Sequence, residues 1–400
     1  MSESFGQKIL LLDSVRGWAA LSVLIFHTFC QDTMPAFPGR DYLYYLQADR
    51  AAVLLFFALS GYVIGLTNQR PWSAQAVRRY GWRRFLRIYP IYLIAILLGW
   101  CAVPGTNLAT VLGQLSFLQD SNPTNPLAVS NLPGNTPLWS LHYEALYYLC
   151  FLVWWRWPAT VLPSLGGSLL AATVGTAWAP VPAVVITHAV GAAFWLAGLV
   201  LSRQPTAATP PREGAMVAHL LWLHSIYHFA PAYLLQRGLG IPNEYKAYLP
   251  VHDLVFLPGA VAMVAIAGGR RLPGGWLWHL VAAGLAGTGL AMILAAGKNP
   301  LEARWAFSTF YLLGGAALFF LPQRLGFERL ALIGAFSYAL YVVHMPVLIF
   351  VGRLFPHITG MASGLGAVGL AFAIIFPLAW WLETRFQPWL RTQTDGPIRT

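Results

Sequence analysis

The chain is 400 residues long, carries 25 Lys and Arg against 14 Asp and Glu for a formal charge of +11, and is 57% hydrophobic but only 10% charged. Soluble domains are about 25% charged, and a mean hydropathy of +0.58 leaves too little polar surface to face water. A soluble enzyme, a disordered chain and a free nucleic-acid binder are excluded, and a polytopic helical membrane protein remains.

The first apolar stretch, about 9–29, has spanning length and no small-residue cleavage pattern, so it reads as a helix that stays. Further apolar stretches cover about 51–67, 88–104, 138–156, 160–179, 183–201, 216–235, 249–267, 276–296, 304–321, 330–351 and 362–383. The stretch 216–235 carries His219, His224 and His228, and is the weakest of the set. The expectation is an all-α bundle of ten to twelve spans, one integral-membrane domain over 1–400 with a short cytoplasmic tail at 385–400. The Pro/Thr-rich stretch 203–214 reads as a short loop.

Only Lys8, Lys246 and Lys298 are lysines, so arginine placement orients the bundle. With the N-terminus cytoplasmic, Arg70, Arg78, Arg79, Arg83, Arg84 and Arg87 share its side, as do Arg156, Arg203, Arg212, Arg270 and Arg271, whereas 105–137 holds no Lys or Arg. Both termini are therefore expected in the cytoplasm, with the basic loops against anionic headgroups of membrane lipids. Cys30, Cys101 and Cys150 lie in or beside apolar runs and imply no disulfide framework.

Ionisable side chains within spans cost about 2.5–3.5 kcal/mol each on insertion scales, which makes each a candidate functional group. Asp13, Arg16 and His27 lie in the first span. Arg16 and His27 are eleven residues apart, about three turns and roughly 16 Å, so they share a face. Either Arg16 pairs with Asp13 at i,i+3 and His27 makes one structural hydrogen bond, or the face carries a fixed cation and a titratable imidazole for chemistry.

The loop from Arg78 to Pro90 completes a set of six arginines within 18 residues, counted from Arg70. Positive-inside behaviour accounts for it. A second reading is an anionic, nucleotide-bearing ligand, because arginine suits forked phosphate recognition and Arg84 and Arg87 share a face at the start of a helix. At the outer end of the fourth span, Trp139 and Ser140 precede Glu144, a carboxylate that needs a partner at a depth similar to His27. In the penultimate span His344 falls near that same level, and Ser337 and Tyr338 fall near the level of Arg16. The polar groups thus sort into two layers. Leu59-Ser60-Gly61 reads as a small-residue helix contact around Ser60. Only His224 and His228 have i,i+4 ligand spacing, without a nearby carboxylate or cysteine trio, so no metal is expected.

Five motifs occur in order. They are Leu12-Asp13-Ser14-Val15-Arg16-Gly17 with His27, then Phe56-Phe57-Ala58-Leu59-Ser60-Gly61-Tyr62, then Arg84-Phe85-Leu86-Arg87-Ile88-Tyr89-Pro90. Trp139-Ser140-Leu141 through Glu144 and Ser337-Tyr338 through Tyr341 and His344 complete them. In these motifs the chain resembles acyltransferase family 3, multi-spanning membrane acyltransferases that modify bacterial surface glycans, lipid-linked sugars, secreted oligosaccharides and some antibiotics. The family usually has ten spans, which puts 205–270 in question, and the extracytoplasmic esterase-like domain that some members append is not expected here.

The resemblance implies that His27 is the essential histidine, Arg16 its motif partner, and Arg84 and Arg87 the site of acyl-CoA, acetyl-CoA by default. His27 would accept the proton of an acceptor hydroxyl, Glu144 would orient the imidazole as in a Ser-His-Asp triad, and His344 or Tyr338 would donate to the oxyanion. No serine or cysteine nucleophile is evident, which favours direct transfer. The partners implied are acyl-CoA, a carbohydrate or lipid-linked acceptor and membrane lipids, with no nucleic acid. Loops 31–50, 105–137 and 236–248 would line the acceptor side. An Ala-, Arg- and Trp-rich, Lys-poor chain points to the inner membrane of a high-GC bacterium. The rival reading is a proton-coupled transporter or flippase using the same buried His, Glu and Arg. It leaves the arginine cluster unexplained, and the two halves show no inverted repeat.

Overall fold

An apolar run must close its own backbone hydrogen bonds, and the computed structural model does so with helices. It describes residues 2–31, 33–120, 128–177, 181–238, 251–321 and 325–394. In chain order, α1 (Ser2–Phe29), α2 (Arg40–Leu43), α3 (Asp49–Thr67), α4 (Ala74–Ala102), α5 (Leu108–Leu115) and α6 (Trp139–Arg156) come first. Next are α7 (Val161–Ala177), α8 (Ala183–Ser202), α9 (Glu213–Phe229), α10 (Pro231–Gly238), α11 (Leu257–Ala267) and α12 (Leu277–Ala295). The series closes with α13 (Ala303–Phe319), α14 (Ala331–Gly334), α15 (Ser337–Leu354), α16 (Met361–Trp381) and α17 (Gln387–Thr394). No strand is found among the described residues, only two isolated bridges.

Eight helical segments among the described residues are long and apolar enough to cross a membrane: Leu10–Phe29, Arg40–Thr67, Ala74–Ala102, Pro158–Gly175, Ala183–Ser202, Leu277–Ala295, Ser337–Leu354 and Met361–Thr394. Two shorter apolar helices, His252–Ala267 and Trp305–Phe319, accompany them. The chain is an all-α, polytopic integral membrane protein.

Three expectations change in detail. The stretch 216–235 is not one helix: Ala230 takes a left-handed conformation at φ 49 and Pro231 follows, so α9 stops at Phe229. The arginine cluster is not a loop. Ser73 accepts from the Ala76 amide at 3.2 Å and starts α4 at Ala74, which puts Arg78 to Arg87 on the helix itself. The tail is helical over α17, with 395–400 outside the described residues, as is most of the expected acceptor loop 236–248.

The chain forms two compact units, residues 1–19, 48–67 and 159–331 in the first and 20–47, 68–158 and 332–400 in the second. The first unit contains α3 and α8, which approach at glycine. A Cβ on Gly61 would run into the Trp195 carbonyl, and one on Gly198 into the Ala58 carbonyl. The small-residue contact expected around Ser60 is therefore a real close approach of backbones. Arg50 pairs with the buried Asp253 at 2.8 Å, and Tyr227 donates to Asp49 at 2.9 Å.

In the second unit α15 packs against α4 and α16. Asn135 ties this set together, donating to the Ala95 carbonyl at 3.2 Å and to the Val342 carbonyl at 2.8 Å. Pro90 within α4 has no amide hydrogen, so the Leu86 carbonyl loses its helical partner. Gln387 from α17 donates to that carbonyl at 3.3 Å and to the Arg87 carbonyl at 2.6 Å, and Tyr338 from α15 donates to the Ile88 carbonyl at 2.8 Å. The proline break is thus where α15 and α17 are fastened to α4.

Candidate functional site

His27 lies two residues before the end of α1, where the helix turns into the loop that follows. Arg40 collects the carbonyls released there, donating to Phe29 at 2.5 Å, Gln31 at 2.6 Å and Met34 at 3.0 Å. A cation at a helix C-terminus also complements the macrodipole. The Thr33 hydroxyl donates to the His27 carbonyl, and Gly352 of α15 lets the Thr33 backbone approach without a Cβ in the way. These contacts fix the main chain that carries the imidazole.

The ring is 5% exposed, and its Nδ1 donates to the Val23 carbonyl at 2.8 Å. In the neutral ring the lone pair is then on Nε2. His344 from α15 faces it, ring centroids 4.9 Å apart and tilted by 56°. His344 has the same construction: Nδ1 donates to the Leu340 carbonyl at 3.1 Å, and Nε2 is buried with no hydrogen-bond partner. An unmet buried polar atom costs about 1–3 kcal/mol, so a lone pair left this way is a place for a donor to bind. One turn from His344, the Tyr341 hydroxyl donates to the Pro137 carbonyl at 2.9 Å, which leaves the Ser140 hydroxyl to donate to Tyr341 at 2.8 Å. Trp139 is buried edge-on against Tyr143 at 5.5 Å.

The second cluster lies on α4. Arg87 forms an ion pair with Glu383, donates to the Gln387 side-chain oxygen at 2.9 Å and rests 5.5 Å from the centre of the Tyr338 ring. Glu383 uses its other oxygen to accept the Ala339 amide at 2.9 Å, a carboxylate at the N-terminus of α15. Ser337 begins that helix with a buried hydroxyl that has no partner. Arg84 differs from Arg87. Its guanidinium is 5.9 Å from the Tyr148 ring centre, and its Nε has no hydrogen-bond partner.

Glu144 accepts from the Tyr148 hydroxyl and is an electrostatic neighbour of Tyr80 and Tyr338, which also have Arg84 and Arg87 as neighbours. The geometry therefore groups Glu144 with the arginines. The orienting bond that the sequence assigned to Glu144 is made to His27 by a main-chain carbonyl, because α1 is still helical at that point. The oxyanion roles considered for His344 and Tyr338 are also unmet in this arrangement: the Nδ1 proton of one and the hydroxyl proton of the other are held by carbonyls.

Of the remaining expected residues, Arg16 pairs with Asp13 at 3.3 Å, both about 30% exposed, and these two belong with Ser60 to the first unit. Sequence reasoning missed Arg40, Glu383, Gln387 and Tyr148. Glu383 carried a signal, a carboxylate at the end of the last apolar stretch. The others are polar residues with no distinguishing spacing, and only their contacts single them out.

Residues 9–384 match the family described as Acyltransferase domain. The chain is 31% identical over 157 residues to Acyltransferase MdmB of Streptomyces mycarofaciens, covering 36% of this chain and 38% of that protein. It is 34% identical over 100 residues to Protein 2 in picA locus of Rhizobium radiobacter, covering 24% of this chain and 47% of that one. The alignments thus span less than half the length of each of these relatives. No solved structure matches. A match over nearly the whole chain, on a helical membrane scaffold, settles the family: the protein belongs to acyltransferase family 3.

Proposed function

We propose that the protein is a membrane O-acyltransferase that moves an acyl group, acetyl foremost, from acyl-CoA to a hydroxyl of a glycan, a lipid-linked sugar or a related acceptor. The observation that carries this reading is the pair of buried imidazoles, His27 and His344, each with Nδ1 pinned to a carbonyl and Nε2 left as the basic atom. Nε2 of His27 takes the proton of the acceptor hydroxyl as that oxygen attacks the thioester carbon, and returns it to the departing thiolate, so the imidazole is regenerated. His344, whose neutral Nε2 is likewise an acceptor, takes a hydrogen bond from a second donor, a neighbouring hydroxyl of the acceptor, and so positions that molecule against His27.

Arg84, with an unpartnered N–H, suits the phosphates of the donor. Arg87 adds charge nearby while its own geometry is set by Glu383 and Gln387. Glu144, beside the Arg84 side of this cluster, fits the control of donor seating better than the activation of His27. Arg16 pairs with Asp13 in the first unit, and its assignment to the donor rests on the motif resemblance alone. The arginine bias supports a cytoplasmic location for both termini and for the α4 cluster, and the composition supports a bacterial inner membrane.

The test uses membranes bearing the full chain and acetyl-CoA labelled in the acetyl group. Covalent label on a glycan or lipid fraction, absent with His27→Ala, is the expected result. Label accumulating inside vesicles without covalent transfer would replace the enzyme with a transporter.

A further inference from the structure

The first unit holds a cleft of about 950 Å³ that no part of the proposed reaction uses. Its volume is at the upper end of the range for small-molecule sites, about 300–1,000 Å³. Two loops build it, the one after α8 and the one between α11 and α12. They are stitched together by the Ala207 amide on the Gly269 carbonyl and the Arg271 amide on the Pro205 carbonyl, both at 2.9 Å. The turn needs backbone that only glycine takes readily: Gly269, Gly274 and Gly275 have φ of 58, 78 and 57.

Three arginines line this cleft, with no Asp or Glu among the lining residues. Arg270 is held as part of the wall, its Nε donating to the Tyr62 hydroxyl at 3.2 Å and one Nη to the Gln204 carbonyl at 2.8 Å. Arg212 lies 6.0 Å from the centre of the Phe319 ring and uses one Nη on the Phe319 carbonyl at 3.0 Å. Arg271 is exposed. Glu213, next in sequence to Arg212, is buried and accepts the Leu325 amide at 2.7 Å.

His279 completes the wall. Since His219 donates from Nδ1 to the Ala215 carbonyl at 2.7 Å, its Nε2 accepts from Nδ1 of His279 at 3.1 Å. In the neutral rings this leaves Nε2 of His279 as an acceptor. The cleft therefore offers guanidinium donors for a phosphate and one acceptor for a neighbouring hydroxyl.

Apolar surface continues directly from it. Trp276, at the entry to α12, is 67% exposed, followed by the exposed Leu277, Leu280 and Val281, and Phe320 beside Phe319 is 81% exposed. A soluble phosphate has no use for that surface, whereas acyl chains do. We propose that this cleft binds the headgroup of an anionic phospholipid, its phosphate on Arg212 and Arg271 and a headgroup hydroxyl on His279, with the acyl chains along α12 and Phe320.

The experiment is native mass spectrometry of the full-length protein in detergent, titrated with phosphatidylglycerol or phosphatidylcholine. The expected result is one phosphatidylglycerol held about ten-fold more tightly than phosphatidylcholine. Arg212→Gln with Arg271→Gln, and the exposed Arg271→Gln alone as the milder change, should reduce that preference. Arg78→Gln with Arg329→Gln, exposed arginines outside the cleft, should leave it intact. Equal retention by the cleft variants with unchanged elution and melting temperature, or equal loss in the control pair, would overturn the proposal. Displacement of the lipid by glycerol phosphate at equal concentration would assign the cleft to a soluble phosphate ester and overturn the lipid reading.

Discussion

The imidazole pair and the α4 arginine cluster belong to the same unit and handle polarity in opposite ways. Arg87 is compensated by a carboxylate, a side-chain amide and an aromatic face, and its partners also fasten α15 and α17 to α4. His27 and His344 have only their own helices' carbonyls, and the Nε2 of His344 is left unmet. A neutral imidazole is far less costly to bury than a charge, so its second nitrogen can remain available where a guanidinium could not. One cluster holds the helices, and the other leaves a basic nitrogen available, as the proposed proton transfer requires.

The sharpest way to break that contrast is at His27. His27→Ala should lower transfer by at least about 100-fold, the range of a lost general base, with insertion and elution unchanged; a variant keeping a tenth of the activity would remove the base from the mechanism. His344→Ala should lower kcat by about 30-fold with the donor KM unmoved. A matching rise in donor KM would instead put His344 on the donor path.

The two arginines separate next. Arg84→Ala should raise the donor KM about ten-fold with kcat held within about two-fold, read from initial rates across donor concentrations. Glu383→Gln should act on stability first, destabilising by about 1–3 kcal/mol because Arg87 keeps other partners and is itself 23% exposed. A melting temperature equal to wild type would return Glu383 to a bystander. The smallest effect belongs to Asp13→Asn, within about 0.5 kcal/mol, since its pair with Arg16 is about 30% exposed on each side.

Hydropathy alone identified the membrane class, because the need to close backbone hydrogen bonds within an apolar run acts residue by residue and leaves a local trace. Motif spacing likewise brought His27, Arg84, Arg87 and His344 forward. Partnership was not legible. Arg87 meets Gln387 across 300 residues of sequence, and nothing periodic in either helix announces the other. Glu144 was assigned by depth in its span, but depth does not say which way a side chain faces around the helix axis, and that rotation is set by packing. The same limit hid the lipid cleft. The loops containing Arg212, Arg270 and Arg271 read as topology signals, and only their stitching into one wall gave the charges a common target. What the chain determined by itself was its solvent and its list of reactive groups; which of them meet was decided by tertiary packing, because contacts between distant helices depend on register and rotation that no local pattern encodes.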